Sequence, residues 1–131
     1  MYTKKKKKKL GDKIVVPGSV LEQVSRLQVS FPIMFRITHD SDVLPKKSHC
    51  SVLEFTAEEG NVYLPLWMMD NLGLDPSGSS MVELETVSLS KGQFVEFQAH
   101  ETKFAMLNNP RVVLENTLRS YSALTVGDTI P

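Results

Sequence analysis

Cysteine is nearly absent from this chain, and long apolar runs are missing altogether. The single cysteine, Cys50, cannot form an internal disulfide, which fits a reducing compartment. No stretch approaches the roughly 18 consecutive apolar residues of a membrane-spanning helix, and the N-terminus lacks the apolar core of a secretory signal. These absences predict an intracellular soluble protein with no inserted segment.

Basic residues are scarce outside one end of the chain. Lys4 to Lys9 supply six of the 15 Lys and Arg residues, so nine remain against 15 Asp and Glu. An acidic body binds phosphate poorly, because affinity for nucleic acid comes mainly from clustered cations, and we expect no nucleic-acid partner. A block of like charge is typical of a solvated tail, and residues 1–12 are predicted to be disordered. A localisation signal or a polyanion-binding arm is the alternative interpretation.

Recognisable catalytic and metal-binding patterns are also missing. His39, His49 and His100 lack the short spacings of zinc sites, and one cysteine cannot complete a structural zinc cluster. His49 and Cys50 are adjacent on a predicted strand, where successive side chains point to opposite faces, so we expect no base–thiol pair. The glycine spacings match neither a dinucleotide-binding loop nor a phosphate-binding loop. We therefore predict no enzyme activity, no metal site and no cofactor.

The first predicted helix spans about Ser19 to Leu27. Ser19 and Glu22 have the spacing of a capping box, in which each side chain satisfies a backbone N–H at the helix start. Val20, Val24 and Leu27 recur at i, i+4 and i+7. This spacing predicts an apolar stripe that faces the core.

Alternating apolar residues predict a hairpin in the middle of the chain. A strand over Cys50 to Thr56 places Leu53 and Phe55 on its inner face. Glu58 to Asn61 supplies turn residues, and Val62 to Leu66 alternates again. The two strands are therefore predicted to pair in antiparallel fashion.

Two further segments alternate with the period of a strand. The alternation over Ile33 to Thr38 predicts a half-buried strand. Over Met81 to Leu89 the alternation slips by one residue. Because a slip exchanges the buried and exposed faces, it predicts a bulge or bend near Glu85-Thr86.

Short helices complete the predicted elements. Trp67 to Leu72 forms about two turns stopped by Gly73, and Asn109 with Pro110 has the residues of a helix start. Near the end, Gly127-Asp128 turns the chain toward a strand that barely begins, so we expect a domain cut short. Together these elements indicate a mainly β chain with short helices.

Four segments carry a family resemblance. They are K-I-V-V-P-G-S-V-L-E-Q-V-S-R-L, F-P-I-M-F-R-I-T, H-C-S-V-L-E-F-T-A-E-E-G-N-V-Y-L-P-L-W-M-M-D-N-L and N-P-R-V-V-L-E-N-T-L-R-S-Y-S-A-L-T-V-G-D-T-I. In this order, from Lys13 to Ile130, the chain resembles the N-terminal domain of the ubiquitin fusion degradation protein 1 family. The resemblance implies a double-psi β-barrel over residues 13–98, followed over 99–131 by the start of a smaller mixed α/β subdomain.

The resemblance also implies a function. Proteins of this family are non-enzymatic adaptors that bind ubiquitin chains and pair with nuclear protein localisation protein 4. They deliver ubiquitylated proteins to a valosin-containing-protein-type AAA ATPase for unfolding and proteasomal degradation, and the segments that contact these two partners lie outside this region. The implied location is the cytoplasm and nucleus, partly at the endoplasmic reticulum surface. A polyanion-binding module built on Lys4 to Lys9 and a hydrolase on a related barrel stay open as alternatives.

Two features of the chain bear on that expectation. The family has an apolar strand before Lys13, where this chain has its lysine run, so we expect either an incompletely closed barrel or residues missing from this chain. Met68, Met69, Leu72 and Leu74 are the predicted ubiquitin contacts, because methionine adapts to irregular apolar surfaces. The alternative for this cluster is packing in the end of the barrel.

Overall fold

A computed structural model gives the fold of the chain. It describes residues 2–5, 11–29, 32–40, 45–75, 77–78, 80–100 and 108–131. The described strands are β1 (Tyr2–Lys5), β2 (Lys13–Pro17), β3 (Met34–His39), β4 (Lys46–Ala57), β5 (Asn61–Leu64) and β6 (Glu83–Val87). The described helices are α1 (Gly18–Arg26), α2 (Leu66–Leu72) and α3 (Pro110–Leu118). The prediction of a mainly β chain with short helices is confirmed for these residues.

β2 lies inside the sheet because it is the most apolar strand. The strand order is β1-β5-β2-β4-β3-β6, with parallel β1–β5 and β2–β4 pairs and the other neighbours antiparallel. Ile14, Val15 and Val16 are 0, 4 and 0% exposed, and such an unbroken apolar run is typical of a strand buried on both faces. The predicted hairpin is wrong, since β2 separates β4 from β5. The predicted turn itself forms, with the Asn61 N–H donating to the Glu58 carbonyl at 3.0 Å.

A register shift between β2 and β4 moves Leu53 to the outside. Val52 and Glu54 pair with consecutive residues of β2, so Leu53 is an extra residue in β4. The side chain of Leu53 is 46% exposed, and the prediction that it faces inward is wrong. Phe55 packs half-buried against the core, as predicted.

The pairing of β6 with β3 is regular. Glu85 and Thr86 face consecutive residues of β3, so the predicted bulge at this point is wrong. The alternation slips in the sequence because the strand is shorter than predicted. Val82, which is 4% exposed, precedes β6, whereas Leu89, which is 39% exposed, follows it.

The core is formed by the sheet together with α1 and α2. Its buried members are Ile14, Val16, Val20, Val24, Ile33, Phe35, Ile37, Cys50, Val62, Leu64, Met68, Met69, Leu72, Leu74 and Val82. α3 contributes no buried residue. The last third of the described chain is therefore held by contacts other than the apolar core.

α1 forms without the predicted capping box. The helix begins at Gly18 with Pro17 as its N-cap, so Ser19 lies within the helix, where its hydroxyl donates to Glu59 Oε2 at 2.7 Å. Val20 and Val24 are each 5% exposed, which confirms two residues of the predicted stripe. Leu27 is 66% exposed, because the helix ends one residue before it.

β1 is an edge strand built partly from the lysine run. Tyr2–Lys5 pairs in parallel with β5. The prediction of a disordered tail is therefore wrong for Tyr2–Lys5 and for Asp12, which is 0% exposed. A strand does precede Lys13, and the incompletely closed barrel stays a prediction. Strand pairing uses backbone groups, which lysine supplies as well as an apolar residue does, and lysine is common on sheet edges. Residues 6–10 of the predicted tail lie outside the described residues.

The predicted boundaries of the later helices are close to the observed ones. β5 ends before Pro65. α2 ends at Leu72 and is capped by Gly73, whose φ of 68° is the left-handed conformation that glycine favours. Pro110 occupies the first turn of α3, although the Asn109 side chain makes no cap hydrogen bond. Among the described residues, no helix has the length and apolar character that crossing a bilayer requires.

A buried carboxylate fastens residues 119–131, which we call the C-terminal arm, to the sheet. Asp12 Oδ2 accepts hydrogen bonds from the backbone N–H groups of Ser122 and Ala123, both at 2.8 Å. Its other oxygen, Oδ1, accepts from Lys13 Nζ at 2.8 Å. Asp12 is 0% exposed, so these donors replace water around the charge.

The residue before this carboxylate lets the arm approach closely. Gly11 has a φ of 62°, and a Cβ built on it would lie 2.0 Å from the Ser120 carbonyl oxygen. The Asp12 N–H donates to the same carbonyl at 3.4 Å. Glycine is therefore required at this position both by its backbone conformation and by the contact with the arm.

We expect Asp12→Ala to lower the free energy of unfolding by about 2–4 kcal/mol, because the backbone N–H groups of Ser122 and Ala123 lose the buried carboxylate that accepts their hydrogen bonds. Urea unfolding followed by the fluorescence of Trp67, the only tryptophan, measures the change. Asp70→Ala removes an exposed carboxylate of α2 and should change the free energy by less than about 0.5 kcal/mol. Equal losses of stability in the two variants would contradict the role of Asp12 in holding the arm.

Gly11→Ala and Gly60→Ala form a matched pair. Both glycines have positive φ, 62° and 82°, but a Cβ at Gly60 meets nothing within 4 Å. Gly60→Ala should therefore cost only the backbone strain of about 1–2 kcal/mol. Gly11→Ala should cost roughly 2 kcal/mol more in the same unfolding experiment, because its methyl group displaces the arm. Similar losses would show that the close approach is unimportant for stability.

Candidate partner-binding groove

Two neighbouring side chains of β4 contact the C-terminal arm. Ser48 Oγ donates to Asp128 Oδ2 at 2.5 Å, and His49 Nδ1 lies 2.8 Å from Thr125 Oγ1. The turn that presents these partners is closed by the Asp128 N–H, which donates to the Thr125 carbonyl at 3.1 Å. The predicted turn at Gly127-Asp128 is thus confirmed, and it positions one hydroxyl and one carboxylate over β4.

The two titratable groups at this contact are shifted in opposite directions. Partial burial lowers the pKa of His49, and the nearby charges of Arg36 and Lys47 lower it further, against the opposing effect of Asp128. Burial raises the pKa of Asp128, while the hydrogen bond from Ser48 and the charge of His49 oppose the rise. The lowered pKa of His49 favours its uncharged form, which suits a hydrogen bond with the hydroxyl of Thr125.

α2 supplies further contacts near and along the arm. Trp67 Nε1 donates to the Gly11 carbonyl at 2.9 Å, and its ring lies 5.7 Å, centroid to centroid, from that of Tyr121 at a tilt of 53°. Asn71 makes two hydrogen bonds with the backbone of Thr129, one to the carbonyl at 2.7 Å and one from the N–H at 3.0 Å. The arm is thus fixed at both ends, beside β2 and beside α2.

An open groove of about 750 Å³ lies between the arm and the segment that follows β6, and we call it the arm groove. His49 and Trp67 belong to its lining. Apolar side chains of its walls are Leu89, Phe94, Val95, Phe97, Leu118, Leu124, Val126 and Ile130. Phe94 is 86% exposed and Val126 is fully exposed. Contiguous exposed apolar surface of this kind marks sites of protein–protein interaction.

One wall of the arm groove has no regular secondary structure. Residues 88–100 form neither a helix nor a strand, and all of them are exposed. Sequence reasoning did not single out Phe94 or Phe97, although two phenylalanines within four residues of an exposed segment are a usable signal. It also missed Asp12, whose role depends on contacts with residues 110 and 111 positions later.

The predicted ubiquitin contacts lie in the core. Met68, Met69, Leu72 and Leu74 are 0, 1, 1 and 7% exposed. The first three are the buried residues of α2, and all four belong to the core cluster. Their burial removes the exposed patch that the prediction required, because a short helix packed on a sheet places its largest apolar side chains inward. The alternative prediction, core packing, is confirmed.

Cys50 and His49 do not form a nucleophile–base pair. Cys50 is 0% exposed, and burial raises the pKa of its thiol. Its Sγ lies 3.8 Å from the Phe35 carbonyl in the core, whereas His49 contacts the arm. Within the described ranges, no group of three or more His, Cys, Asp and Glu side chains is placed to hold a metal ion.

Two sequence models match the chain in succession. The model described as Ubiquitin fusion degradation protein UFD1, N-terminal subdomain 1, matches residues 1–90, and the model of N-terminal subdomain 2 matches residues 91–131. Together the two models cover the whole chain.

Curated relatives are similar over nearly all of the chain. The Homo sapiens protein named Ubiquitin recognition factor in ER-associated degradation protein 1 is 43% identical over 92% of this chain and 38% of its own length. The Ubiquitin fusion degradation protein 1 homolog of Dictyostelium discoideum is 45% identical over 92% of this chain and 35% of its own. The Saccharomyces cerevisiae protein named Ubiquitin fusion degradation protein 1 is 41% identical over 92% of this chain and 32% of its own length. The chain spans about a third of the length of these relatives, and it belongs to the ubiquitin fusion degradation protein 1 family, in the region of its two N-terminal subdomains.

Proposed function

We propose that this chain is the ubiquitin-binding part of an adaptor in ER-associated protein degradation. Membership of the family supports the proposal, as does the 43% identity to a relative named as a ubiquitin recognition factor in that process. The structural observation that carries it is the arm groove, which exposes Phe94 and Val126 on facing segments.

The lining of the arm groove supports the proposal. Small ubiquitin-binding domains present an apolar centre with a polar rim to the apolar patch of ubiquitin. Here Phe94, Leu124 and Val126 supply apolar side chains to the lining, and His49 and Asp128 supply polar groups to it. These three apolar residues are therefore our proposed contacts.

The wider role is that of a non-enzymatic adaptor. The partners included in the proposal are nuclear protein localisation protein 4 and a valosin-containing-protein-type AAA ATPase, bound by other segments of the full-length protein. Ubiquitylated proteins held by this region would be passed to the ATPase for unfolding before proteasomal degradation. The proposed location of the full-length protein is the cytoplasm and nucleus, with part of its activity at the endoplasmic reticulum surface. The chain covers 38% and 35% of the length of the human and Dictyostelium discoideum relatives, so the rest of such a protein can contain these segments.

The division into two subdomains stays a prediction. A double-psi β-barrel over residues 13–98 is supported by the position of β2 between β4 and β5, which are consecutive in the chain. Among the described residues, β1 and β6 form the two ends of the sheet and do not pair with each other. The start of an α/β subdomain over 99–131 is supported by α3 and the arm.

Phe94→Ser should weaken the binding of ubiquitin chains at least about tenfold, because an aromatic side chain at the centre of an apolar interface contributes about 2 kcal/mol or more. NMR titration of the isotope-labelled chain with ubiquitin chains of defined linkage measures both affinity and position. The amide signals of residue 94 and residues 124–126 should shift on binding.

Leu21→Ser is the matched control for this experiment. Leu21 is 42% exposed on α1, outside the arm groove, and its replacement should leave ubiquitin affinity unchanged within about twofold. Unfolding curves of both variants check that the fold is retained, which we expect because Phe94 is 86% exposed. Equal weakening in the two variants, or shifts confined to Met68–Leu74, would overturn the assignment of the groove.

A further inference from the structure

The outer edge of β6 carries backbone groups that none of the described strands uses. Among the described residues, β6 pairs with β3 alone and is the last strand of the sheet. On such an edge, the N–H and C=O groups that point away from the sheet are open to another extended chain. A peptide backbone satisfies them with the right spacing, and this is the basis of recognition by strand addition.

A second groove, of about 280 Å³, runs between β6 and α1, and we call it the edge groove. Val24 and Phe35, which are 5 and 3% exposed, line it together with the half-buried Leu84. Leu27, which is 66% exposed, lies at its margin. The volume lies just below the roughly 300 Å³ at which pockets for drug-sized ligands begin. The edge groove therefore suits one or two aliphatic side chains.

The opposite face of β6 is acidic. Leu84 and Thr86 face the same side as the core residues of β3, so Glu83 and Glu85 point to the other side. Both glutamates are exposed. Glu85 Oε2 lies 3.4 Å from Arg36 Nη1, which is a long contact, and its carboxylate keeps further acceptor positions.

We propose that β6 is the docking edge for an extended partner segment in which cationic and aliphatic residues alternate. The partner's backbone pairs with the outer edge of β6, its aliphatic side chains enter the edge groove, and its Lys or Arg side chains face Glu83 and Glu85. Side chains alternate along a strand with a period of two, so two carboxylates at this spacing match two cations at the same spacing. Charge complementarity therefore selects the partner.

The same charges disfavour a second copy of this chain as the occupant. Pairing of β6 with β6 of another copy would place the Glu83 and Glu85 side chains of the two copies on one face. Like charges opposite each other on neighbouring strands are destabilising. The strand that binds here is thus a basic one.

The probe for this proposal is a fluorescently labelled peptide with the sequence Lys-Leu-Lys-Leu-Lys-Leu-Lys, titrated into the intact chain. Fluorescence anisotropy measures affinity, and NMR locates binding at the amides of Glu83–Val87. The same peptide N-methylated at alternate residues keeps its charge but loses the donors that strand addition needs. It should bind at least about tenfold more weakly.

Charge reversal on the protein tests the partner's chemistry. Glu83→Lys/Glu85→Lys should weaken binding of the unmodified peptide about tenfold, because two attractive cross-strand pairs become repulsive. Asp70→Lys/Glu115→Lys reverses two exposed carboxylates on α2 and α3, away from β6 and from both grooves. This variant has the same net charge and should bind two- to threefold more weakly at most.

Three results would overturn the proposal. Equal affinity for the N-methylated peptide would mean that the peptide adheres by charge alone. Equal weakening in the two double variants would remove β6 as the site. Concentration-dependent shifts of the β6 amides without peptide, with a dimer in sedimentation, would assign the edge to a second copy. The N-methylated peptide needs no protein variant, so the test holds even if a variant unfolds.

Discussion

A single buried carboxylate determines where the C-terminal arm lies. Asp12 is 0% exposed, and a charge removed from water is stabilised only where hydrogen-bond donors replace the solvent. Two of its donors are backbone N–H groups of the arm, 110 and 111 positions later in the chain. Because backbone donors cannot rotate independently of the chain, the carboxylate fixes the path of the arm itself. The contacts of Ser48, His49 and Asn71 then hold the later part of the arm, and together these attachments shape the arm groove.

The arm is attached through polar groups, and this leaves its apolar groups exposed. Ser48, His49 and Asn71 each contact the arm by hydrogen bonds, while α3, which precedes the arm, has no buried residue. Hydrogen bonds are directional, so they specify a position without covering much surface. Leu124 and Val126 therefore stay exposed, 43% and fully, beside the groove. A segment held in this way is suited to presenting apolar side chains to another protein.

Local features of the fold could be predicted from the sequence, whereas pairing across the chain could not. Gly73 ends α2 and Pro65 ends β5 because each acts through its own backbone conformation. The hairpin prediction failed because β2, which lies more than 30 positions earlier, enters between β4 and β5. Asp12 has no periodic or motif signal, since its role comes from contacts more than a hundred positions away. A short apolar cluster such as Met68-Met69 fits both a core and a contact surface, and only packing decides between them.

The two proposed surfaces, the outer edge of β6 and the arm groove, are neighbours along the chain, although binding at each depends on different interactions. β6 ends at Val87, and the wall of the arm groove begins at Leu89. Strand addition at β6 depends on backbone hydrogen bonds and charge, whereas the arm groove depends on apolar burial. A strand bound to β6 would restrain the backbone that leads directly into residues 88–100, which have no regular structure of their own. Ordering that wall before a partner enters the groove reduces the conformational entropy lost on binding, so occupancy of the edge should favour occupancy of the groove.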